Sequence, residues 1–350
     1  MHPTITPDAS GTARLLADAY GFQATLERIP AGQVTVNYRA STAGGRGLFV
    51  KQYLKGADLT AEAAAIEQTR AASNQGVPVA PLVPAQSGAV IAQDGDVALS
   101  VWHWMPGRTV EDGLTPPQQA AAGEVLGRIH RTFAAHPASS RPSAKLNRWM
   151  RPDLPQLHRT IDQLLGIIDS RTEHDTFDDH AARTLTERRT MLQRVPGLID
   201  TLPPLSSQVL HGDYSAVNLL LNGDTITAVL DFRPPESFLI AYELGRIAFD
   251  PRAVVLSDDP VSTGVALVAA YLSEHRTLTA ADVRMCARIA ALQLIISLYG
   301  IKQHYLSPGL IQADLDDFWL LRHKAAAILL NHLEDFEKAL AGTADRARIS

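Results

Sequence analysis

The stretch VLHGDYSAVNLLLNGDTITAVLDF, residues 209–232, is the part of the sequence that decides the fold. Two apolar runs with strand character flank a polar segment that holds His211, Asp213 and Asn218. The second run contains an NGD turn and is typical of a β-hairpin that ends at Asp231. Because a hairpin brings the chain back on itself, we expect Asp231 to return near the loop that holds Asn218.

Side-chain oxygens clustered at strand ends are typical of a site for Mg²⁺, which takes few protein ligands and completes its octahedron with water and phosphate. If Asn218 and Asp231 hold the metal, Asp213 remains as a carboxylate that can orient a substrate hydroxyl. A competing interpretation is that these residues only form turns, because HGD and NGD are both good turn sequences. The full spacing is more restrictive, and it parallels the H-R-D-x-x-x-x-N and D-F-G motifs of protein kinases.

On these residues the chain resembles the aminoglycoside phosphotransferase/choline kinase-like superfamily, whose motif is HGD followed by Asn and then by Asp-Phe. Further segments fall in the order that this superfamily uses: VTVNYRA (34–40), LFVKQY (48–53), GVPVAP (76–81), LGRIH (126–130) and AYELGRIAFDP (241–251). The resemblance implies an α+β, bilobal protein kinase-like fold with a small β-rich N-terminal lobe and a larger, mainly helical C-terminal lobe. It also implies that Asp213 is the catalytic base-like Asp, that His211 supports its loop, and that Asn218 and Asp231 are Mg²⁺ ligands.

Two positions depart from the superfamily pattern. The segment after Asp231 reads DFRPPES instead of passing through a Gly-containing turn, and Arg233 contacts either phosphate or solvent. The superfamily's YDLA appears as YELG, with Glu243 in the acidic position. We expect Glu243 to buttress the active loop with a longer side chain. Neither change removes a metal ligand.

The character of the sequence changes after Pro106-Gly107. The residues before it are rich in strand and turn signals, and most segments after it have helical patterns. We therefore predict an N-terminal nucleotide-binding lobe over residues 1–105 and a C-terminal catalytic and acceptor-binding lobe over residues 106–350. The polar hairpin is embedded in the second lobe.

Lys51, in LFVKQYL, lies on a predicted strand between apolar neighbours. In kinases a strand lysine supplies the cation that ATP needs near its phosphates, and an exposed surface lysine is the alternative. An ion pair with an acidic residue of the following helix would hold the lysine. Glu62 and Glu67 are both candidates, and Glu62 is preferred because the apolar run AAAI follows it.

Two further segments are candidates for nucleotide contacts. The turn in IPAGQVTVNYRAS (29–41) has only Gly32, so it is neither a Gly-rich loop nor a Walker A motif. The connector SVWHWMPGRT (100–109) is expected to meet the adenine edge with its backbone, and Val101 and Met105 to lie near the ring. Its Trp residues are equally consistent with a core. The nucleotide is expected to be ATP, with GTP left open.

The acceptor is the least determined part of the prediction. The acidic-aromatic segments RTEHDTFDDH (171–180) and IQADLDDFW (311–319) would suit a polycationic aminoglycoside, but the interpretation as solvated helix starts is preferred for them.

We predict an ATP- and Mg²⁺-dependent O-phosphotransferase that acts on a small-molecule hydroxyl of an aminoglycoside-type or other antibiotic. The alternatives are a kinase of a metabolite such as an amino sugar, homoserine or choline, and a catalytically silent nucleotide-binding protein. A metal-dependent hydrolase using His211 and Asp213 would lack a second His-rich ligand set.

Composition limits the remaining classes. The chain has 350 residues and a formal net charge of −5, which gives no basic footprint for nucleic acid. Its single cysteine, Cys286, excludes an internal disulfide. The N-terminal sequence lacks the pattern of a signal peptide, and the apolar run IAALQLIISLYGI (289–301) is too short to span a bilayer. We therefore expect a cytoplasmic monomer or homodimer with no nucleic-acid or membrane partner.

Overall fold

The structure is a computed structural model, and it describes residues 9–29, 35–110, 112–141, 143–308 and 312–349. The strands are β1 (Ala24–Ile29), β2 (Thr35–Thr42), β3 (Gly47–Tyr53), β4 (Leu82–Val83), β5 (Ala92–Asp94), β6 (Val97–His103), β7 (Ser207–Val209), β8 (Leu219–Asn222), β9 (Thr225–Val229) and β10 (Ser237–Leu239). The helices are α1 (Ala9–Tyr20), α2 (Leu59–Asn74), α3 (Pro116–Phe133), α4 (Ala144–Trp149), α5 (Leu154–Asp169), α6 (Thr176–Leu192), α7 (Val195–Asp200), α8 (Ile240–Ala248), α9 (Pro251–Leu256), α10 (Pro260–Glu274), α11 (Ala280–Ile296), α12 (Ile301–Leu306), α13 (Gln312–Asn331) and α14 (Leu333–Ile349).

The chain forms two compact units, and each of them is discontinuous in sequence. Unit 1 consists of Met1–Thr109 with Asn218–Pro235, and unit 2 consists of Val110–Val217 with Glu236–Ser350. The prediction kept residues 106–350 in one lobe, whereas in the structure the polar hairpin makes its contacts in unit 1. The predicted α+β class, with a small β-rich part and a larger helical part, is confirmed.

Unit 1 is built on an antiparallel sheet with the strand order β1-β2-β3-β6-β4, and β5 pairs with β6. Alternation along β3 buries Leu48 and Val50 completely on one face. The other face carries Lys51, which lies opposite Asn37 of β2 and Ser100 of β6. The apolar face packs under α1, so the sheet fixes the lysine on a rigid strand.

The hairpin of β8 and β9 is attached to unit 1 by backbone contacts. Val79 forms a parallel bridge with Val229, and Arg108 forms an antiparallel bridge with Leu221. A Cβ atom at Gly107 would lie 3.0 Å from the Leu221 carbonyl oxygen, and the φ angle of Gly107 is 126°. Both facts require glycine at this close approach of two backbone segments. The hairpin belongs to the sheet-bearing unit for this reason.

Unit 2 is mainly helical, and α3 packs closely along α10. A Cβ atom at Gly127 would lie 2.7 Å from the carbonyl oxygen of Tyr271, so only glycine permits this spacing. The approach brings His130 of α3 to Tyr271 of α10, with His130 Nδ1 3.0 Å from the tyrosine hydroxyl. Strands β7 and β10 pair antiparallel beside these helices. Residues 210–217 of this unit form a loop that follows β7.

One helical region, Ala280–Leu306, is long and apolar enough to cross a membrane by length and composition, with a mean hydropathy of 1.4. Of its apolar window, 67% is buried within the protein, as in the core helix of a soluble protein. Cys286 lies in this region, fully buried, and burial raises the pKa of its thiol above the ordinary range. It is therefore a packing residue, as the apolar neighbours in its sequence indicate.

Candidate functional site

Lys51 is held between two carboxylates of unit 1. Its Nζ lies 3.5 Å from Glu62 Oε2 and 3.2 Å from Asp231 Oδ1. The other candidate, Glu67, pairs instead with Arg70 at 2.9 Å. Glu62 stands in the first turn of α2, where Asp58 caps the helix by accepting the Ala61 N–H. The expected ion pair therefore forms with Glu62, and Lys51 also reaches the end of the hairpin.

Asp231 has an unusual backbone conformation. Its φ angle is +61°, and it is the only non-glycine residue with positive φ in the described part of the chain. This left-handed conformation is sparsely populated for residues other than glycine, although Asp and Asn tolerate it better than most. Strain of this kind clusters at functional sites, because the surrounding structure must fix the side chain in one position.

The hairpin brings Asn218 and the segment of Asp231 together. Leu219 pairs with Val229 in the ladder, and Leu230 N–H donates to the Asn218 carbonyl at 2.9 Å. One residue further along, Asp231 meets Lys51 as described. The sequence prediction that Asp231 returns near Asn218 is therefore confirmed for the backbone.

The residues present fit the predicted Mg²⁺ site. Among the described residues, no three His, Cys, Asp or Glu side chains cluster at metal-binding spacing. Mg²⁺ needs no such cluster, because it binds through one or two carboxylates and fills its remaining positions with water and phosphate oxygens. Asp231 supplies a partly exposed carboxylate, and Asn218 a half-buried side-chain carbonyl in the same unit. The two side chains would hold the cation.

Arg233 lies beside Asp231, one of the two candidate ligands. Its Nη2 is 3.5 Å from Asp231 Oδ2, and its backbone carbonyl accepts a hydrogen bond from Gln68 Nε2 of α2 at 3.0 Å. The side chain is 46% exposed. The guanidinium thus contacts a carboxylate, and its contact with phosphate stays a prediction.

In unit 2, the HGD loop (residues 211–217) presents Asp213 beside an arginine. Arg246 Nη1 of α8 lies 2.7 Å from Asp213 Oδ1, and the Asp213 side chain is 23% exposed. Burial lowers the pKa of Arg246, but the Asp213 charge and hydrogen bond outweigh it, and the pKa is raised. A permanently charged guanidinium at this distance fixes one carboxylate oxygen.

Glu243 holds the HGD loop through hydrogen bonds to the backbone of the loop. Its buried carboxylate accepts the backbone N–H of His211 at 2.9 Å and that of Gly212 at 2.7 Å. It also lies 3.0 Å from His130 Nε2. Burial by itself raises the pKa of Glu243, but the hydrogen bond and charge of His130, the charge of His211 and the Gly212 N–H bring it down to about 2. The expected buttress is therefore present, and its carboxylate is ionised.

His211 is a positioning residue in the structure. Its side chain is fully buried, and its Nδ1 accepts the Asp213 backbone N–H at 3.2 Å. The ring packs edge-on against Tyr214, with the two ring centroids 5.6 Å apart. Our prediction grouped His211 with Asp213 as catalytic, but complete burial removes it from contact with a substrate. Burial also argues against the hydrolase that would use His211 as a metal ligand.

The residues predicted to contact the adenine ring and the phosphates, Val101, Met105 and the turn at Gly32, differ in how far the structure supports them. Val101 has no exposed surface and lies in the sheet core opposite Val50, so its side chain offers no surface to an adenine ring. Met105 is half-buried just after β6. The turn at Gly32 lies outside the described residues. The backbone of the connector therefore remains the better candidate for adenine contacts.

The acidic segments are engaged in local structure. Asp175 and Asp178 form a capping box at the start of α6, and Asp178 also pairs with Arg171 at 2.8 Å. Asp316 lies 2.8 Å from His304 Nδ1. Asp175 and Asp178 stand at a helix start, as the preferred interpretation expects. Asp178 is only 1% exposed, so it is not solvated as that interpretation supposed.

Sequence reasoning missed Arg246 and His130 as parts of the site. Arg246 stands three residues after Glu243 on α8, so a helical projection of YELGR would have placed both side chains on one face. His130 closes the LGRIH segment of α3. No local pattern predicts its contact with Glu243, because the contact joins residues 113 positions apart.

Substitution of Lys51 tests its assignment. Lys51→Ala should lower kcat/KM for ATP by on the order of 10²–10³-fold, the usual loss when a phosphate-directed charge is removed. The free energy of unfolding should change by no more than about 1 kcal/mol, because the ion pairs are partly exposed. Steady-state kinetics and urea titration measure the two effects. Lys55→Ala is the matched control, since Lys55 makes an exposed ion pair with Asp96, and wild-type kinetics in Lys51→Ala would remove Lys51 from the site.

A family model described as the phosphotransferase enzyme family matches residues 25–281. No curated protein matches the chain. Several solved structures match this chain over most of their own length. An amicoumacin kinase in complex with AMP-PNP, Ca²⁺ and Ami is 17% identical, with 91% of this chain and 93% of that chain covered and a TM-score of 0.62.

Two further structures give the same fold. A spectinomycin phosphotransferase in complex with ADP and spectinomycin is 15% identical, with 91% of this chain and 97% of that chain covered and a TM-score of 0.64. An aminoglycoside phosphotransferase from Alicyclobacillus acidocaldarius is 17% identical, with 89% and 92% covered and a TM-score of 0.60. At these identities the likeness establishes the fold, and it confirms the predicted kinase-like architecture.

Proposed function

Because the chain belongs to the phosphotransferase enzyme family, we propose that it transfers the γ-phosphoryl group of ATP to a hydroxyl group of a small molecule. The observation that carries the proposal is Lys51, which a rigid strand holds between Glu62 and Asp231. A lysine paired with a helical glutamate and placed beside a metal-ligand aspartate is the arrangement that kinases use on nucleotide phosphates.

Each residue of the site has a separate task in this proposal. Mg·ATP, when bound, supplies the phosphoryl group, and Asn218 and Asp231 would hold its metal. Lys51 supplies a cation to the phosphates, and Glu62 keeps the lysine extended. Asp213 orients the acceptor hydroxyl and accepts its proton late in the transfer. Arg246 holds the Asp213 carboxylate in one orientation, and Glu243 fixes the backbone of the HGD loop that carries it.

The metal assignment predicts a metal-dependent stabilisation by nucleotide. ATP at about 100 times its Kd should stabilise the folded protein by about 2.7 kcal/mol when Mg²⁺ is present, and far less in EDTA. Asp231→Asn should abolish this difference, since Asn tolerates the positive φ angle but carries no charge. Thermal unfolding measures the shift in Tm.

Asp224→Asn is the control for this measurement, because Asp224 lies on the same hairpin, in its turn between β8 and β9. It should respond to Mg·ATP as the wild type does. Equal stabilisation by ATP with and without Mg²⁺ would contradict the assignment of Asn218 and Asp231.

For the acceptor, we propose an antibiotic of aminoglycoside or another type, with a metabolite such as an amino sugar, homoserine or choline as the second candidate. The antibiotics in the names of the amicoumacin and spectinomycin enzymes support the first class. An aminopropanol kinase of the same fold supports the second; it is 18% identical, with 94% of this chain and 99% of that chain covered and a TM-score of 0.58. An ADP-release screen over antibiotics, amino sugars and amino alcohols separates these classes.

A catalytically silent nucleotide-binding protein is the competing function. The chain keeps Asp213, Asn218, Asp231 and Lys51, which a protein that only binds nucleotide has no need to retain together. The ADP-release screen distinguishes the silent protein from the kinase. A silent protein binds Mg·ATP but releases no ADP in response to any acceptor.

A further inference from the structure

Tyr271 of α10 has a buried hydroxyl group that the proposed function does not use. The side chain has no exposed surface, and its oxygen lies 3.0 Å from Nδ1 of His130 on α3. The ring stacks on that of His275, with 5.5 Å between the centroids and 17° between the planes. Burial raises the pKa of the Tyr271 hydroxyl well above its ordinary value. The tyrosine therefore keeps its proton and can donate it in a hydrogen bond.

The charge of Glu243 determines which nitrogen of His130 carries a proton. The pKa of Glu243 is about 2, so its carboxylate only accepts hydrogen bonds. His130 Nε2, which lies 3.0 Å from Glu243 Oε2, must therefore be the donor. The Tyr271 hydroxyl donates to the other nitrogen, and Nδ1 can accept this bond only in a neutral ring. A proton on Nδ1 would leave the buried tyrosine proton without an acceptor among the described residues, at the cost of an unsatisfied polar group.

The carboxylate of Glu243 uses both of its oxygens fully. Oε2 accepts the ring N–H of His130 at 3.0 Å and the backbone N–H of His211 at 2.9 Å. Oε1 accepts the backbone N–H groups of Gly212 and Tyr214 at 2.7 and 3.4 Å. Three of these four donors belong to the HGD loop, and the fourth is the ring of His130. The imidazole therefore fixes the orientation of the carboxylate to which the loop is bound.

The close packing of α3 on α10 fixes the distance between His130 and Tyr271. A Cβ atom at Gly123 of α3 would lie 2.3 Å from the carbonyl oxygen of Leu267 of α10, so the two backbones are in contact one turn before Gly127 as well. The backbone of His130 is also tied to the strand that precedes the HGD loop, because Gln208 Nε2 of β7 donates to the His130 carbonyl at 2.6 Å. The imidazole is thus held by its own helix, by its neighbour and by β7.

We propose that Tyr271 is a positioning residue for phosphoryl transfer, which acts on Asp213 through His130, Glu243 and the HGD loop. This proposal rests on the phosphotransferase function above. The tyrosine hydroxyl keeps the imidazole neutral and fixes its plane, the imidazole orients the carboxylate, and the carboxylate holds the backbone N–H groups on both sides of Asp213. Without the hydroxyl, the buried Nδ1 has no donor, and the ring can tilt or take up a proton. Either change weakens the hold of Glu243 on the loop.

The first measurement is the tautomer of His130, and it needs no acceptor substrate. In protein with ¹⁵N-labelled histidine at neutral pH, the His130 signals should be those of a neutral ring protonated at Nε2. They are the signals, among those of 12 histidines, that disappear in His130→Gln. In Tyr271→Phe the Nδ1 signal should shift, because its hydrogen-bond donor is removed. A wild-type His130 with a proton on Nδ1 would overturn the proposal, whether the ring is the other neutral tautomer or the imidazolium.

The second measurement is amide hydrogen exchange in the HGD loop of the nucleotide-free protein. Tyr271→Phe should accelerate exchange of the Gly212 N–H by roughly three- to tenfold, the range that corresponds to the net contribution of one buried hydrogen bond. Tyr20→Phe is the matched control, because it also removes a buried tyrosine hydroxyl, one that donates to the Leu99 carbonyl at 3.1 Å in unit 1. It should lower the stability by a similar amount and leave exchange in the loop unchanged. Equal acceleration in both variants would reduce the effect of Tyr271 to general stability and overturn the proposal.

The third measurement is steady-state kinetics with the acceptor that responds best in the ADP-release screen. Tyr271→Phe should lower kcat by roughly three- to tenfold, while KM for ATP changes by less than about twofold, because the substitution leaves Lys51 and the metal ligands unaltered. Tyr20→Phe should keep the wild-type kcat. A wild-type kcat in Tyr271→Phe, or a rise in KM for ATP without a fall in kcat, would show that Tyr271 does not position the loop for transfer.

A double substitution tests whether Tyr271 acts through His130. His130→Gln keeps an NH₂ group that can donate to Glu243, but it has no ring nitrogen in place of Nδ1. In this background Tyr271→Phe should change kcat by less than about twofold, since the two residues form one path. A second effect as large as in the wild type would contradict that path. Failure of the phosphotransferase function would show itself differently, as a wild-type protein with the expected tautomer and loop protection that phosphorylates no acceptor in the screen.

Discussion

Asp213→Asn is expected to lower kcat by on the order of 10²–10⁴-fold while Mg·ATP binds as tightly as in the wild type. In phosphoryl transfer the protein contributes mainly positioning and charge stabilisation, so loss of the group that orients the acceptor reduces turnover. The substitution keeps the size and the turn propensity of the side chain, and it leaves Glu243 in place beneath the loop. Turnover by ADP release and binding by calorimetry must be measured on one preparation, because a folding defect would resemble a loss of catalysis.

Asp179→Asn provides the control for this substitution, since Asp179 is an exposed residue in the first turn of α6 and should show wild-type kinetics. A folded Asp213→Asn protein that phosphorylates its acceptor at the wild-type rate would remove Asp213 from the mechanism.

Glu243→Gln should destabilise the protein by roughly 3–5 kcal/mol, the usual cost of breaking a buried charged pair. The carboxylate accepts three backbone N–H groups of the HGD loop, those of His211, Gly212 and Tyr214, and it contacts His130. An amide in its place presents an NH₂ group to at least one of these donors. Urea unfolding at neutral pH measures the loss, and kcat should fall as well because the loop that carries Asp213 is no longer fixed.

The same residue predicts the direction of a pH effect. The folded pKa of Glu243 is about 2, below its ordinary value of 4.5, so its ionisation stabilises the folded state fully above pH 4.5. This stabilisation, on the order of 3 kcal/mol from the pKa difference, is lost as the pH falls from 4.5 towards 2. The stability gap between wild type and Glu243→Gln should therefore narrow over that interval.

Glu274→Gln is the control for Glu243, because Glu274 forms partly exposed ion pairs with Arg128 and Arg131. Its loss should cost no more than about 1 kcal/mol. Equal losses of stability in Glu243→Gln and Glu274→Gln would contradict the role of Glu243 as the buried residue that fixes the HGD loop. So would a stability difference between wild type and Glu243→Gln that grows as the pH falls.

The parts of the site that lie on one continuous motif were predictable from sequence. The hairpin turn in NGD determines that the segment of Asp231 returns to Asn218, because a two-stranded ladder fixes its own register. The sequence favoured Glu62 over Glu67 as the partner of Lys51 but did not decide between them. In the structure the alternative glutamate is taken by Arg70, three residues away on the same helix.

The parts that depend on contacts between distant segments were not predictable. His130 and Glu243 lie on different helices, α3 and α8, and no periodicity of either helix predicts their contact. Val101 was expected near the adenine ring because of its position in the connector, but its side chain is fully buried in the sheet core. One residue along a strand changes the face, and the sequence alone did not determine which face is buried.

The choice of ATP over GTP, the oligomeric state and the cytoplasmic location stay predictions. The acceptor class is a proposal as well.

The most direct test of the central claim is ³¹P NMR of the wild-type protein with Mg·ATP and a panel of acceptors that differ in charge. The account predicts a phosphomonoester signal that grows in step with ADP for at least one acceptor, and its loss in Asp213→Asn. A wild-type protein that binds Mg·ATP but forms no phosphomonoester with any acceptor, and releases only inorganic phosphate at the rate of the Asp213→Asn variant, would contradict it.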